Sequence, residues 1–164
     1  MPANKDGTKS CLNIFIGQPW PLGSSITKRG ANFSVAAPNA NKVELVLFNN
    51  ENDKEPSDII LMNKSDENYW NVEVSGIGEG ALYGYKVHDK SSIFGKDISN
   101  KILLDPCARA IGGWDSYKRE SCLGDKENTQ SCLKGIVCER DEFDFESHPR
   151  PKHKWENTII YELH

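Results

Sequence analysis

From Ala31 onward the chain alternates apolar and polar residues. In "ANFSVAA" Phe33 and Val35 fall on one face and Asn32 and Ser34 on the other, the period of two that marks a strand. The turn cluster "PNAN" follows, and then "KVELVLF", with Val43, Leu45 and Leu47 in phase. Val46 and Phe48 make its second face apolar as well, as in a strand covered on both sides. After the polar loop "NNENDKEPSD" come a short apolar run, "IILM", and a further alternation, "YWNVEV", with Trp70, Val72 and Val74 in phase. "SGIGEG" is a turn. "ALYGYKV" then sets Tyr83, Tyr85 and Val87 against Gly84 and Lys86. No helical period of useful length runs between residues 30 and 88. The pattern predicts an antiparallel, immunoglobulin-like β-sandwich with Trp70 in its core.

Residues 89–157 behave differently. Short apolar runs, "KILLDP", "ARAIGGW" and "CLKGIV", stand between charged and turn-forming stretches. So long an irregular tract is unusual inside a compact domain. It is expected either to be mobile or to lie against a surface that the chain does not supply. The pattern turns strand-like again in "WENTIIYELH", whose apolar residues on both faces suit a buried parallel strand.

Composition narrows the function classes. The chain has 164 residues, 37% hydrophobic and 27% charged, enough for one globular domain with a real core. Its net charge of −4 is spread along the sequence, so no basic patch points to nucleic acid and no cationic amphipathic helix to a membrane. No apolar run approaches the roughly 20 residues of a membrane span, and "MPANKDGTKSCLNIFIGQPWP" has no leader pattern, so a cytoplasmic location is expected. Five cysteines without a CxxC pair read as reduced structural thiols, with Cys132 and Cys138 the pair that a tight loop could join.

Candidate chemistry is sparse. His148 and His153 flank "PRPK", which favours extended backbone and excludes a helical ligand pair. The glycines of "GIGEG" join two strands and do not form a phosphate loop. The acidic run "ERDEFDFE" reads as a solvated loop. No metal, cofactor or catalytic residue is therefore expected. Sugar stacking remains open, because a flat aromatic ring matches the C–H face of a pyranose; Trp20, Trp70, Trp114 and Trp155 are the tryptophans available, and Lys86 could donate to a hydroxyl.

Several segments, in order, resemble one family. "GQPWPLGSS", "GANFSVAAPNANKVELVLF", "LYGYKVH", "NKILLDPCARAIGGW", "DEFDFE" and "WENTIIYELH" resemble the N-terminal part of isoamylase-type glycogen and starch debranching enzymes of the α-amylase superfamily, over about residues 17–164. The resemblance implies a division into a tail (1–16), a sandwich of the carbohydrate-binding module family 48 type (17–100), an irregular linker that packs on a catalytic (β/α)8 barrel (101–157), and a truncated first barrel strand (158–164). Such enzymes hydrolyse α-1,6 linkages with an aspartate nucleophile and a glutamate acid/base on later barrel strands. None of that sequence is present, so no catalytic residue carries over and the chain alone is expected to be inactive.

The resemblance also implies candidate sites. An α-glucan is the expected partner. Phe48 and Phe94 stand where glycan-binding members carry tryptophans, with Lys86 as the third contact. Leu103, Leu104, Trp114 and Ile160 are the expected barrel-docking residues. Cys107 in "LLDPCAR" departs from the aromatic often found there, a difference of packing. The alternatives to a debranching-enzyme domain are a free-standing glycan-binding module, a docking domain for a separately encoded barrel, and a gene fragment without activity.

Overall fold

The computed structural model describes residues 12–65, 68–89, 98–123, 126–139, 147 and 151–163. These form a sandwich of two antiparallel five-stranded sheets. The first has the order β1 (Ile14–Phe15), β7 (Tyr69–Ser75), β3 (Gly30–Ala36), β2 (Gly23–Ile26), with β6 (Asn63–Lys64) also on β7. The second runs β5 (Asp58–Leu61), β4 (Ala40–Phe48), β8 (Leu82–Asp89), β10 (Lys134–Ile136), β9 (Ala110–Gly112).

The inward residues are those the alternation predicts. Phe33 pairs across strands with Val72, and Leu47 with Tyr83. Phe33, Val43, Leu45, Val72, Val74 and Tyr83 are fully buried, and Trp70 is nearly so. The Phe33 and Tyr83 rings meet edge-on at 5.0 Å. Each such side chain contributes about 1.5–3 kcal/mol by leaving water.

The outer face of the first sheet is polar yet buried. Asn32 accepts from the Gln18 backbone N–H (2.7 Å) and donates to the Gln18 carbonyl (3.0 Å), while Ser34 donates to the Pro19 carbonyl (2.8 Å). The chain before β2 is thus strapped across β3. Trp20 remains exposed and stands beside Tyr69, ring centres 6.1 Å apart.

The tract expected to be irregular is built into the second sheet as far as Val137. β10 pairs with β8, β9 with β10, and Leu103 forms an isolated bridge to Tyr85. Val137 enters the main core and Ile102 a second cluster. Two glycines allow this. A Cβ on Gly84 would lie 2.7 Å from Ile102 Cγ2, and one on Gly135 would lie 2.7 Å from the Tyr83 ring. Neither chain could approach β8 so closely past a side chain.

The strand expected at 158–164 does not appear over its described residues, 158–163. A single 3-10 turn, Trp155–Asn157, leads into 158–163, which belong to no strand. A strand needs a neighbour to take its backbone hydrogen bonds, and none lies beside it among the described residues. Ile159, Ile160, Tyr161 and Leu163 are 72–90% exposed. No helix among the described residues is long and apolar enough to cross a membrane. Cys107, Cys122, Cys132 and Cys138 are free thiols, so the possible Cys132–Cys138 link is not made.

Candidate functional site

The outer face of the second sheet is where the expected glycan contacts converge. On β4 and β8 the outward pairs are Glu44 with Lys86, Val46 with Gly84, and Phe48 with Leu82. One end of this face is closed. Val46, Phe48 and Leu82 pack with Ile102, Cys132 and Ile136, all supplied by the segment that follows the sandwich strands. Phe48 is only 6% exposed. Lys134 reaches across it with its Nζ 4.7 Å from the ring centre. The expectation that Phe48 stacks on a sugar is corrected: protein already covers the ring.

The other end of the face is open and charged. Glu44 takes an ion pair from Lys42 (2.6 Å) and a bond from His88 Nε2 (2.7 Å). Partial burial opposes ionisation of the Glu44 carboxyl, but these two hydrogen-bonded partners outweigh it and hold the group below its ordinary value. Lys86 is half-buried across from Glu44, and Leu61 on β5 is exposed beside it. Ile59 and Leu61 are the exposed large hydrophobics of β5, β4 and β8; no exposed phenyl, phenol or indole ring stands on these strands among the described residues. Phe94, the remaining expected contact, lies outside the described residues, as do His148 and most of the acidic run.

Of the expected docking residues, Leu103 commits its backbone to β8, exchanging N–H···O bonds with Tyr85 at 2.9 and 2.8 Å. Leu104 is half-buried next to it. Trp114 is 62% exposed and meets Tyr117 edge-on, while Ile160 is exposed in the unpaired stretch. The linker is fastened by the residue after this leucine pair. Asp105, 2% exposed, accepts from the Tyr83 hydroxyl (2.7 Å), the Tyr85 hydroxyl (3.4 Å) and the Cys107 N–H (2.8 Å). Burial pushes the Asp105 carboxyl above its ordinary value despite these donors, and it pushes both tyrosine hydroxyls up as well.

Three further buried polar side chains escape a reading of the sequence alone. Lys134 is fully buried and donates to the carbonyls of Glu51, Thr129 and Cys132. Asn128 brackets Ile102, accepting from its N–H (2.8 Å) and donating to its C=O (3.0 Å). Lys101 donates to the carbonyls of Ser121 and Lys126. The one available signal was the phase of "CLKGIV", which puts Lys134 on the same side as Cys132 and Ile136. Among the described residues no group of three or more His, Cys, Asp or Glu side chains is arranged to hold a metal ion.

Comparison with known proteins bears on this geometry. Residues 21–108 match the family described as carbohydrate-binding module 48 (isoamylase N-terminal domain). The chain is 32% identical over 162 residues to a glycogen debranching enzyme of Erwinia tasmaniensis, covering 93% of this chain and 24% of that protein. It is 27% identical over 154 residues to a glycogen debranching enzyme of Pectobacterium atrosepticum, covering 90% of this chain and 23% of that protein. Among solved structures, a product complex of the multi-modular glycogen-degrading pneumococcal virulence factor SpuA matches 73% of this chain and 12% of its own, with a TM-score of 0.52 and 19% identity, a likeness of fold. The chain thus spans about a quarter of the length of the curated relatives it matches.

Proposed function

The chain belongs to the carbohydrate-binding module 48 (isoamylase N-terminal domain) family, and from that premise we propose that it serves as the non-catalytic N-terminal domain of a glycogen- or starch-debranching hydrolase. The family match carries this reading. The whole enzyme would hydrolyse α-1,6-glucosidic bonds with carboxylates supplied by sequence beyond these residues. The part played here is packing and presentation.

Two observations favour that role over an autonomous grip on glucan through the β4–β8 face. The Phe48 ring is covered by Ile102 and Lys134. The apolar side chains of 159–163 stand in water, a pattern expected of a segment that a further domain covers. The test is an assay of the purified chain on branched limit dextrin. No release of linear chains is expected. Release that co-purifies with the chain through successive columns would defeat the proposal.

A further inference from the structure

The loop between β4 and β5 and the segment that follows the sandwich strands border a groove of about 600 Å³, lined among others by Lys54, Lys118, Ser121, Glu127, Thr129 and Gln130. That volume is within the usual span of small-ligand sites, roughly 300–1,000 Å³. Two lysines against one glutamate leave the lining a formal charge of +1. No ion pair among the described residues engages any of the three, so both ammonium groups keep their N–H donors for a ligand. Thr129 is 6% exposed. Its carbonyl accepts from Lys134 and Cys132, whereas no group among the described residues bonds its hydroxyl. A hydroxyl so nearly buried ordinarily has a partner, and the groove that Thr129 lines is where one can reach it.

The two sides of the groove are tied together. Glu51, in the same loop as Lys54, accepts from the Gly113 N–H through its carboxylate (2.6 Å) and from Lys134 Nζ through its carbonyl (2.8 Å). Asp53 closes that loop on itself, accepting from the N–H groups of Asn49 and Asn50 at 3.0 and 2.9 Å. On the other side the Lys118 N–H donates to the Ser131 carbonyl at 3.2 Å. Lys101 donates to the Ser121 carbonyl at 2.9 Å, and Asn128 is bonded to both backbone groups of Ile102. A site held this way loses little conformational freedom when a ligand arrives. Lysines from two separate segments thus line one cavity without a carboxylate bonded to either, an arrangement that an anion stabilises.

We infer that this groove binds a small phosphate ester that also bears hydroxyl groups. A phosphoryl group carries a charge of about −1.5 to −2 near pH 7 and offers acceptor oxygens. Those oxygens match Lys54, Lys118 and the hydroxyls of Ser121 and Thr129, all of which can donate. Glu127 is an acceptor and repels a bare phosphate, so it selects a molecule with a hydroxyl to donate; the Gln130 amide serves either end. A neutral polyol leaves the two lysine charges uncompensated. The inference rests on the groove's lining and not on the debranching-domain reading.

The experiment is a titration of the full chain with glucose 6-phosphate, followed by ¹⁵N–¹H spectra, beside titrations with glucose and with inorganic phosphate. Glucose 6-phosphate is expected to shift the amides of Lys118, Ser121, Thr129 and Gln130 and to leave those of Lys42, Lys86 and His88 in place. Lys54→Gln and Lys118→Gln are each expected to weaken binding about tenfold, the scale of one charge-assisted hydrogen bond. Both lysines are exposed, so these variants should keep the urea midpoint of the parent chain. Inorganic phosphate should bind about tenfold more weakly than the ester, Glu127→Gln should narrow that gap, and glucose should shift nothing. Silence of the groove amides with glucose 6-phosphate would overturn the inference. So would equal affinity for inorganic phosphate, the mark of an adventitious ion only, or equal shifts with glucose. None of those results touches the debranching-domain reading, which stands or falls on the behaviour of the chain joined to a barrel.

Discussion

The Lys134 ammonium lies 4.7 Å from the centre of the Phe48 ring, so an aromatic residue on the outer face of the second sheet meets a cation from its own chain where a sugar would have to sit. A cation–π contact in a desolvated site is worth about 2 kcal/mol. The three carbonyls that accept from Lys134 hold the ammonium there.

Phe48→Ala should therefore act on stability. Removing a buried phenyl ring costs about 3–5 kcal/mol, read as a fall in the urea midpoint. Lys86→Ala, at the open end of the same face, should stay within about 0.5 kcal/mol. Equal stability of Phe48→Ala and the parent chain would mean that the ring is not covered.

Asp105 and Glu44 should give opposite pH dependences. Burial raises the Asp105 carboxyl above its ordinary 3.8. Its contribution is complete below that value and is lost as pH rises through the raised folded value. Asp105→Asn should flatten this slope, because the amide keeps an acceptor without a charge. Asp105→Ala should cost about 3 kcal/mol, since it strands two tyrosine hydroxyls and one N–H. Urea melts at successive pH values separate these outcomes.

Glu44 is stabilised in its charged form. Burial opposes that state, but the Lys42 and His88 bonds prevail and lower the carboxyl below its ordinary 4.5. Its contribution is present above 4.5 and is lost as pH falls through the lowered folded value. Glu44→Gln should remove this acid-side loss; an unchanged acid limb would show that the triad contributes nothing.

Gly84→Val should loosen the linker from the sandwich, because the new side chain would occupy the space of Ile102. Hydrogen exchange should speed up at Ile102 and Leu103 while β3 and β7 keep their protection. In the parent chain β3, β4, β7 and β8 should exchange slowest and α1 (Arg119–Leu123), which has no buried residue, among the fastest. More protection over 119–131 than in β3 or β7 would contradict this ordering.

The sandwich core was legible in the sequence because burial of one sheet face writes a period of two; Phe33, Val72 and Tyr83 declare themselves that way. The covered outer faces were not. Asn32 and Asn128 look solvent-exposed in a pattern reading, yet each is buried by satisfying the backbone of a crossing segment, and an amide used like that leaves no periodic trace. Residues 101–137 join the sheet through strands of three residues and one isolated bridge, too short to register as alternation. For Phe48 two readings conflicted: the apolar second face of β4 indicates a covered strand, whereas the family resemblance suggests a sugar contact. The packing follows the pattern.

The most direct measurement is a domain replacement. The N-terminal part of the Erwinia tasmaniensis glycogen debranching enzyme is exchanged for this chain, and the thermal stability and limit-dextrin activity of the hybrid are compared with those of the barrel portion alone. A packing domain predicts a hybrid that is more stable than the isolated barrel and active on α-1,6 branches. A hybrid no more stable and no more active than the barrel portion alone would contradict the account.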